Sequence, residues 1–214
     1  MRGTYPRANP ETKTMSAHGT LTVDLRTRRG KGPARRLRAQ GLTPGVVYGQ
    51  GKDNVAIAFD PRRFERALDA ERRYNSLLEV EIHDGDAVLE KVYCVVADVD
   101  KDPMRDTYLH VDFMRVDPDA EIERVVPIRY VGRAKGVAAG GKLETYKRSV
   151  RIRVPAKDVP AAIEVDVTPL EAGAFFRVSD LAVAGAKVLE RPEQPLAHVR
   201  PPKVSKTAAE GKGK

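Results

Sequence analysis

The chain has 214 residues, with 38 Lys and Arg against 30 Asp and Glu, a formal charge of +8. Hydrophobic residues make up 41% and mean hydropathy is −0.44. The chain can therefore bury real cores, and no run approaches the ~18 apolar residues of a membrane helix. The one cysteine, Cys94, excludes a disulfide framework and a thiolate zinc site. The four histidines lie far apart, without metal-ligand spacing. No cofactor is expected, and a lone thiol fits a reducing, cytoplasmic compartment.

Residues 1–19 have no periodicity and hold Gly3, Pro6, Pro10 and Gly19. They read as a disordered lead-in without the apolar core of a secretory signal. Met15, just before the first ordered-looking stretch, is a candidate start. Residues 20–25 alternate apolar and polar, as a half-buried strand does. A glycine-punctuated basic loop follows over 26–32, then a short helix opened by Pro33 and ended by Gly41. Residues 46–48 and 55–59 are strands. Asp60-Pro61 is a helix start, with Asp as N-cap and Pro at the first helical position. Phe64, Ala67 and Leu68 form an apolar stripe on that helix, which extends to residue 73. Strands at 77–82 and 87–99 flank Asp84-Gly85, a hairpin signal. Residues 108–116 make a further strand.

Residues 117–123 form an acidic hinge. Strands at 125–131, 143–146, 150–154, 163–167 and 197–199, separated by glycine turns, predict a second domain rich in β structure. The fold class is thus mainly β with some α: a six-stranded barrel with helices over 20–117, and a β domain over 118–200. Residues 201–214 read as a disordered basic tail.

The charge is segregated. Residues 1–52 sum to +9, residues 53–120 to −8, residues 121–200 to +4 and the tail to +3. Arg26, Arg28, Arg29, Lys31, Arg35, Arg36 and Arg38 follow one another with no acid between them. Seven cations in thirteen residues repel each other unless an anion is expected. Phosphate is the natural one, and the preference for Arg points to RNA, since a planar guanidinium forks onto phosphate or stacks on a base.

His110 and Asp112 lie at i, i+2 and so share one face of a strand. The pair could orient an imidazole as a base, or serve structure or ligand hydrogen bonding; no nucleophile motif accompanies it. Tyr48 is either a buried core phenol or a donor at the edge of the basic surface. Residues 133–153 carry seven Lys and Arg and one acid, Glu144. They form either a second polyanion contact or an exposed sheet face. Cys94 reads as an inert buried thiol.

Several motifs together resemble a known family. R-T-R-R-G-K-G-P-A-R-R-L-R-A (26–39), P-G-V-V-Y-G (44–49), A-D-V-D-K-D-P (97–103) and H-V-D-F (110–113) resemble bacterial large-subunit ribosomal protein number twenty-five, which binds 5S rRNA. V-P-I-R-Y-V-G (126–132), G-V-A-A-G-G-K-L (136–143), I-E-V-D-V (163–167) and V-S-D-L (178–181) are similar to the second half of its long form, Ctc or general stress protein Ctc. The resemblance covers residues 20–202. It implies a non-enzymatic constituent of the 50S subunit, one copy per ribosome, beside neighbouring ribosomal proteins. It carries RNA recognition onto Arg26, Lys31, Arg35, Arg38, Tyr48, His110 and Asp112, with Arg36 inside the same motif. Ala97 stands where the family often has Gln, so that position is left out. Many long forms end in an acidic tail; this chain ends in a basic one.

Three other readings fit parts of the pattern. One is a general stress RNA-binding protein acting off the ribosome. Another is a piece of a tRNA-handling enzyme, since similar barrels occur in the anticodon-binding part of glutaminyl-tRNA synthetase. The third is a hydrolase using His110 and Asp112.

Overall fold

A computed structural model describes residues 19–28, 30–181, 183 and 185–201. Apart from Gly19 and Pro201, the expected lead-in and tail lie outside the described residues, as does Arg29. Strand β1 (Gly19–Leu25) leads through helix α1 (Lys31–Ala39) to β2 (Thr43–Gly49) and β3 (Lys52–Phe59). Helix α2 (Pro61–Ala67) then precedes β4 (Leu77–Asp84), β5 (Ala87–Asp102) and β6 (Thr107–Arg115). The six strands close into a barrel in the order β1-β3-β2-β6-β5-β4. The β1–β4 and β2–β6 pairs are parallel and the others antiparallel.

Alternation builds the wall. Leu21 and Val23, Leu78, Val80 and Ile82, and Val111 and Phe113 point inward and are almost wholly buried. Phe64 of α2 seals the core, with ring centroids 5.4 Å from Phe59, 5.5 Å from Tyr108 and 5.7 Å from Phe113. Tilted and edge-on pairs suit the aromatic quadrupole. Gly45 lets β2 meet β6: a Cβ there would lie 2.6 Å from the Val111 carbonyl oxygen. Cys94 is buried, and desolvation pushes its thiol up to about 12.

The helices depart from expectation at their ends. Helix α1 starts at Lys31, two residues before Pro33, because a proline in the first turn removes only an N–H that lacks an intrahelical partner anyway. Gly41, at φ 81°, follows its end. Helix α2 begins as expected, with Asp60 Oδ1 accepting from the Arg62 N–H at 2.8 Å. It ends at Ala67 instead of running to residue 73. Asp69 Oδ1 accepts from the N–H groups of Glu71 (2.8 Å) and Arg72 (3.0 Å), an alternative to the helical ladder. The same backbone bonds hold the Asp69 carboxyl below its usual pKa.

The C-terminal region holds β7 (Glu121–Val131), α3 (Lys135–Ala138), β8 (Lys142–Thr145), β9 (Ser149–Pro155), β10 (Ile163–Asp166), β11 (Phe175–Arg177), β12 (Lys187–Val188) and β13 (Pro195–Arg200). They form one sheet in the order β10-β7-β9-β12 and another in the order β11-β13-β8. The expected acidic hinge is shorter than its composition suggests. Residues 121–123 already belong to β7, because Ile122 is buried between exposed Glu121 and Glu123. Neither β11, β12 nor α3 stands out in the sequence.

The two halves share a core. Leu77, Val95 and Val116 of the barrel side pack with Ile122, Val126, Ile152, Leu196 and their neighbours. Beside this seam the Arg124 Nε donates to Asn75 Oδ1 at 3.1 Å and its guanidinium to the Tyr74 carbonyl at 2.8 Å. Asn75 Nδ2 returns a bond to the Val125 carbonyl at 3.0 Å. Burial pulls the Arg124 pKa below the usual guanidinium value.

Two stability outcomes are expected. Phe64→Ala removes the ring that seals the barrel and should cost about 4 kcal/mol in urea unfolding. Arg124→Ala leaves Asn75 and the Tyr74 carbonyl short of donors at the seam and should cost about 2 kcal/mol. An unchanged midpoint in either variant contradicts the corresponding packing account.

Candidate nucleic-acid interface

Strand β6 carries His110 and Asp112 on the outer wall, between the buried residues Tyr108, Val111 and Phe113. Their side chains are 36% and 35% exposed, and His110 Nδ1 lies 2.8 Å from Asp112 Oδ1. That oxygen is shielded from solvent yet receives no donor in hydrogen-bond geometry. The pair is thus close but misaligned, and a donor from outside has only the other oxygen of the partly exposed Asp112 carboxylate to approach. The flanking strands extend the face. Val46 of β2 is opposite Asp112 and Tyr48 opposite Met114. On β5, Asp98 is opposite Asp112 and Asp100 opposite His110. Two register shifts in β5, between Val96 and Asp98 and between Asp100 and Lys101, set this placement. Carboxylates directly opposite each other are unfavourable without a donor between them.

Helix α1 brings the cations. It has no acid in its first turn, Lys31 at its start, and no buried residue. A cation at the positive end of a helix dipole opposes helix stability unless an anion answers it. Lys31, Arg35 and Arg36 are exposed, and their side chains have no hydrogen-bond or ion-pair partner among the described residues. Arg38 is different. Its Nε and a terminal nitrogen donate to the Leu109 carbonyl at 2.9 and 2.7 Å, pinning the end of α1 beside His110. A carbonyl does not neutralise the guanidinium, so the charge remains available. Arg26 donates its backbone N–H to the Ala56 carbonyl at 2.8 Å. With Thr27, Arg28, Pro33, Arg36 and Gln40 it lines a cleft of about 250 Å³ between the end of β1 and α1.

The site residues named from the sequence therefore fall into two groups. His110, Asp112 and Tyr48 share the outer barrel face, and Tyr48 is half-buried at its edge, outside the core cluster. Arg26 and Arg36 line the cleft, Lys31 and Arg35 stand free on α1, and Arg38 links the groups through Leu109. Sequence reasoning missed Asp98 and Asp100 as neighbours of His110 and Asp112. Alternation in A-D-V-D puts the two on one face of a strand, a signal the sequence carries, but only the bulged register shows which residues they oppose. Gln40 of the cleft was missed as well, and Arg28 belonged to the cationic block without being named as a site residue.

The cations of residues 133–153 do not all come from one element. They are spread over α3, β8, β9 and the loops between them, and Lys147 pairs with Glu190 and Arg153 with Glu123. Ala97 lines a separate cleft with Asn75, Arg124 and Arg151, at the junction of the two halves. No cluster able to hold a metal occurs among the described residues. No helix among them is long and apolar enough to cross a membrane.

Comparison with known proteins accounts for both halves. Residues 21–113 match the Ribosomal L25p family, and residues 121–203 match the ribosomal protein TL5 C-terminal domain. Large ribosomal subunit protein bL25 of Geobacter sulfurreducens is 38% identical over 181 residues, covering 84% of this chain and 92% of that protein. The protein of the same name from Anaeromyxobacter dehalogenans strain 2CP-1 is 38% identical over 196 residues, or 90% of this chain and 79% of that one. That of Halothermothrix orenii is 36% identical over 161 residues, or 75% and 72%. The family is structural and non-enzymatic, so the hydrolase reading of His110 and Asp112 falls away. With a barrel that matches one family model and a C-terminal region that matches the other, the chain belongs to the bL25 family in its long form, Ctc.

Proposed function

We propose that this chain is a structural constituent of the large ribosomal subunit, in the cytoplasm, and that it holds 5S rRNA. The subunit assignment follows the name its relatives carry, large ribosomal subunit protein bL25. In this reading residues 20–117 form the domain that holds 5S rRNA, residues 118–200 form a second domain, and one copy sits in each ribosome.

One observation carries the reading. A helix of unneutralised cations is fastened by Arg38 to the strand whose outer face offers Asp112 and His110. The two ends of this arrangement want different chemistry. Lys31, Arg35, Arg36 and the Arg26 cleft attract phosphates, which set register and orientation without reading sequence. Asp112 repels phosphate and accepts only from a 2′-hydroxyl or a base amino group. Both kinds of group meet across the wide, shallow minor groove of an A-form helix, whose deep groove excludes side chains. His110 and Tyr48 add hydrogen bonds beside Asp112. Asp98 and Asp100 make the surrounding wall unfriendly to backbone phosphate, so an RNA duplex is accepted in one orientation.

The test uses the full chain and transcribed 5S rRNA in filter binding at several salt concentrations. Arg35→Ala should weaken binding to 5S rRNA and to an unrelated stem alike, and lower the slope of log K against log salt by about 1. Asp112→Asn should weaken 5S rRNA binding roughly tenfold and leave the unrelated stem unchanged. If the Asp112 variant binds both RNAs like the parent, the groove assignment is wrong. If 5S rRNA is held no tighter than the unrelated stem by the parent chain, the 5S reading itself fails.

A further inference from the structure

The C-terminal region presents a second surface with the chemistry of nucleic-acid recognition. In the sheet ordered β11-β13-β8, Phe175 lies opposite His198 and His198 opposite Glu144. The Phe175 and His198 rings stack, with centroids 4.1 Å apart and planes inclined by 14°. Phe176, the next residue, turns inward against the core. Phe175 itself is 47% exposed. β11 is an edge strand of this sheet, and among the described residues no further strand pairs beyond it, on the side of the Phe175 ring away from His198.

Cations surround the stack. Arg177 follows two residues after Phe175 on β11, just past a register shift against β13, and Arg200 lies on the side of His198; Lys142 lies opposite Arg200. Arg177, Arg200 and Lys142 are all exposed. Glu144, on the same side, pairs with Arg200 at 3.2 Å, so these two charges offset each other and the net positive charge of the face comes from Arg177 and Lys142. A half-exposed phenyl ring on a sheet is unfavourable in water, and two parallel rings at an edge have one open π-face that a third flat ring extends. Aromatic side chains on an open sheet flanked by cations are how proteins hold unpaired bases: the ring stacks and the cations take the phosphates on either side. A protein partner would bury such a ring in an apolar pocket within a charge-depleted patch, whereas here the ring is hemmed by Arg177, Arg200 and Lys142.

We propose that Phe175 and His198 form a stacking platform for an unpaired nucleobase of single-stranded RNA, with Arg177 and Lys142 on the neighbouring phosphates. The inference rests on the chain being an RNA-binding protein, but on a surface, and for an RNA structure, different from those of the barrel.

The probe is an eight-nucleotide single-stranded RNA with 2-aminopurine at its centre, added to the full chain. Stacking on Phe175 should quench the fluorescence. Phe175→Ala should abolish the quench and weaken binding about tenfold, while Phe175→Tyr keeps both. Arg177→Glu, which leaves the rings in place, should weaken binding severalfold at low salt. Asp112→Asn should leave this probe unaffected, and Phe175→Ala should leave 5S rRNA binding unaffected, so the two sites are separable. Absence of quenching with the parent chain overturns the proposal, as does equal binding by the Ala and Tyr variants. If Phe175→Ala binds the probe normally yet is retained less well on 50S subunits, the ring docks on protein and the proposal is equally overturned. Failure of the parent chain to bind 5S rRNA would sink the barrel assignment and leave this one standing.

Discussion

Val96 of β5 faces Phe113 of β6 inside the barrel, and the residues around that pair point the other way. Val95 enters the core shared with the C-terminal region, with Met114 packed against it from β6. Asp98 and Asp112 meet on the open outer wall. A sheet one residue thick has only two faces, and this ladder uses both at once. Its inner face closes the barrel. Its outer face is divided along its length between a dry junction and a wet, acid-rich site. The bulge at Ala97 lies at the boundary between them, where a change of register shifts the outer face from one environment to the other.

The cationic helix follows a different logic. It contributes no buried residue, and its charges oppose its own dipole at the N-terminal end. What holds it is the contact of its inner side with β2 and the two bonds from Arg38 to Leu109. Such an element spends little of its composition on stability and most of it on charge. Its placement comes from the barrel, and its electrostatics are left uncompensated among the described residues. A rigid wall with acceptors and a loosely held strip of donors are complementary devices for a partner that is both acidic and rich in hydroxyl groups.

Much of this was legible from local chemistry. Alternation located the barrel strands, Asp84-Gly85 the β4–β5 hairpin, and Asp60-Pro61 the start of α2, because each signal acts within a few residues. Gly41 likewise marked the end of α1. The pairing of His110 with Asp112 needed only a spacing of two. Other features depend on partners far along the chain. Arg38 and Leu109 are 71 residues apart, and nothing near either announces the bond. The position of Asp98 opposite Asp112 depends on a bulge that alternation alone cannot locate. The early end of α2 came from the Asp69 side chain outcompeting the helical ladder, although the apolar stripe alone favoured continuation. Short α3 is hidden for a steric reason: Gly136 looks like a turn residue but is buried, and a Cβ there would lie 2.4 Å from the Ala172 nitrogen. The Phe175–His198 stack joins two short strands that neither composition nor periodicity links.

The shared core has a consequence for how such a chain can be divided. Leu77, Val95 and Val116 belong to the barrel by connectivity but to the C-terminal region by packing. Cut the chain after Val116, and these three side chains become a bare apolar patch on the outer wall, an invitation to self-association. A barrel of this kind built to live alone must carry polar residues at those three positions. Conversely, apolar residues there mark a barrel whose outer wall has been given over to a second body. Those positions therefore act as a written record of chain length inside the first hundred and sixteen residues, readable before the rest of the chain is seen.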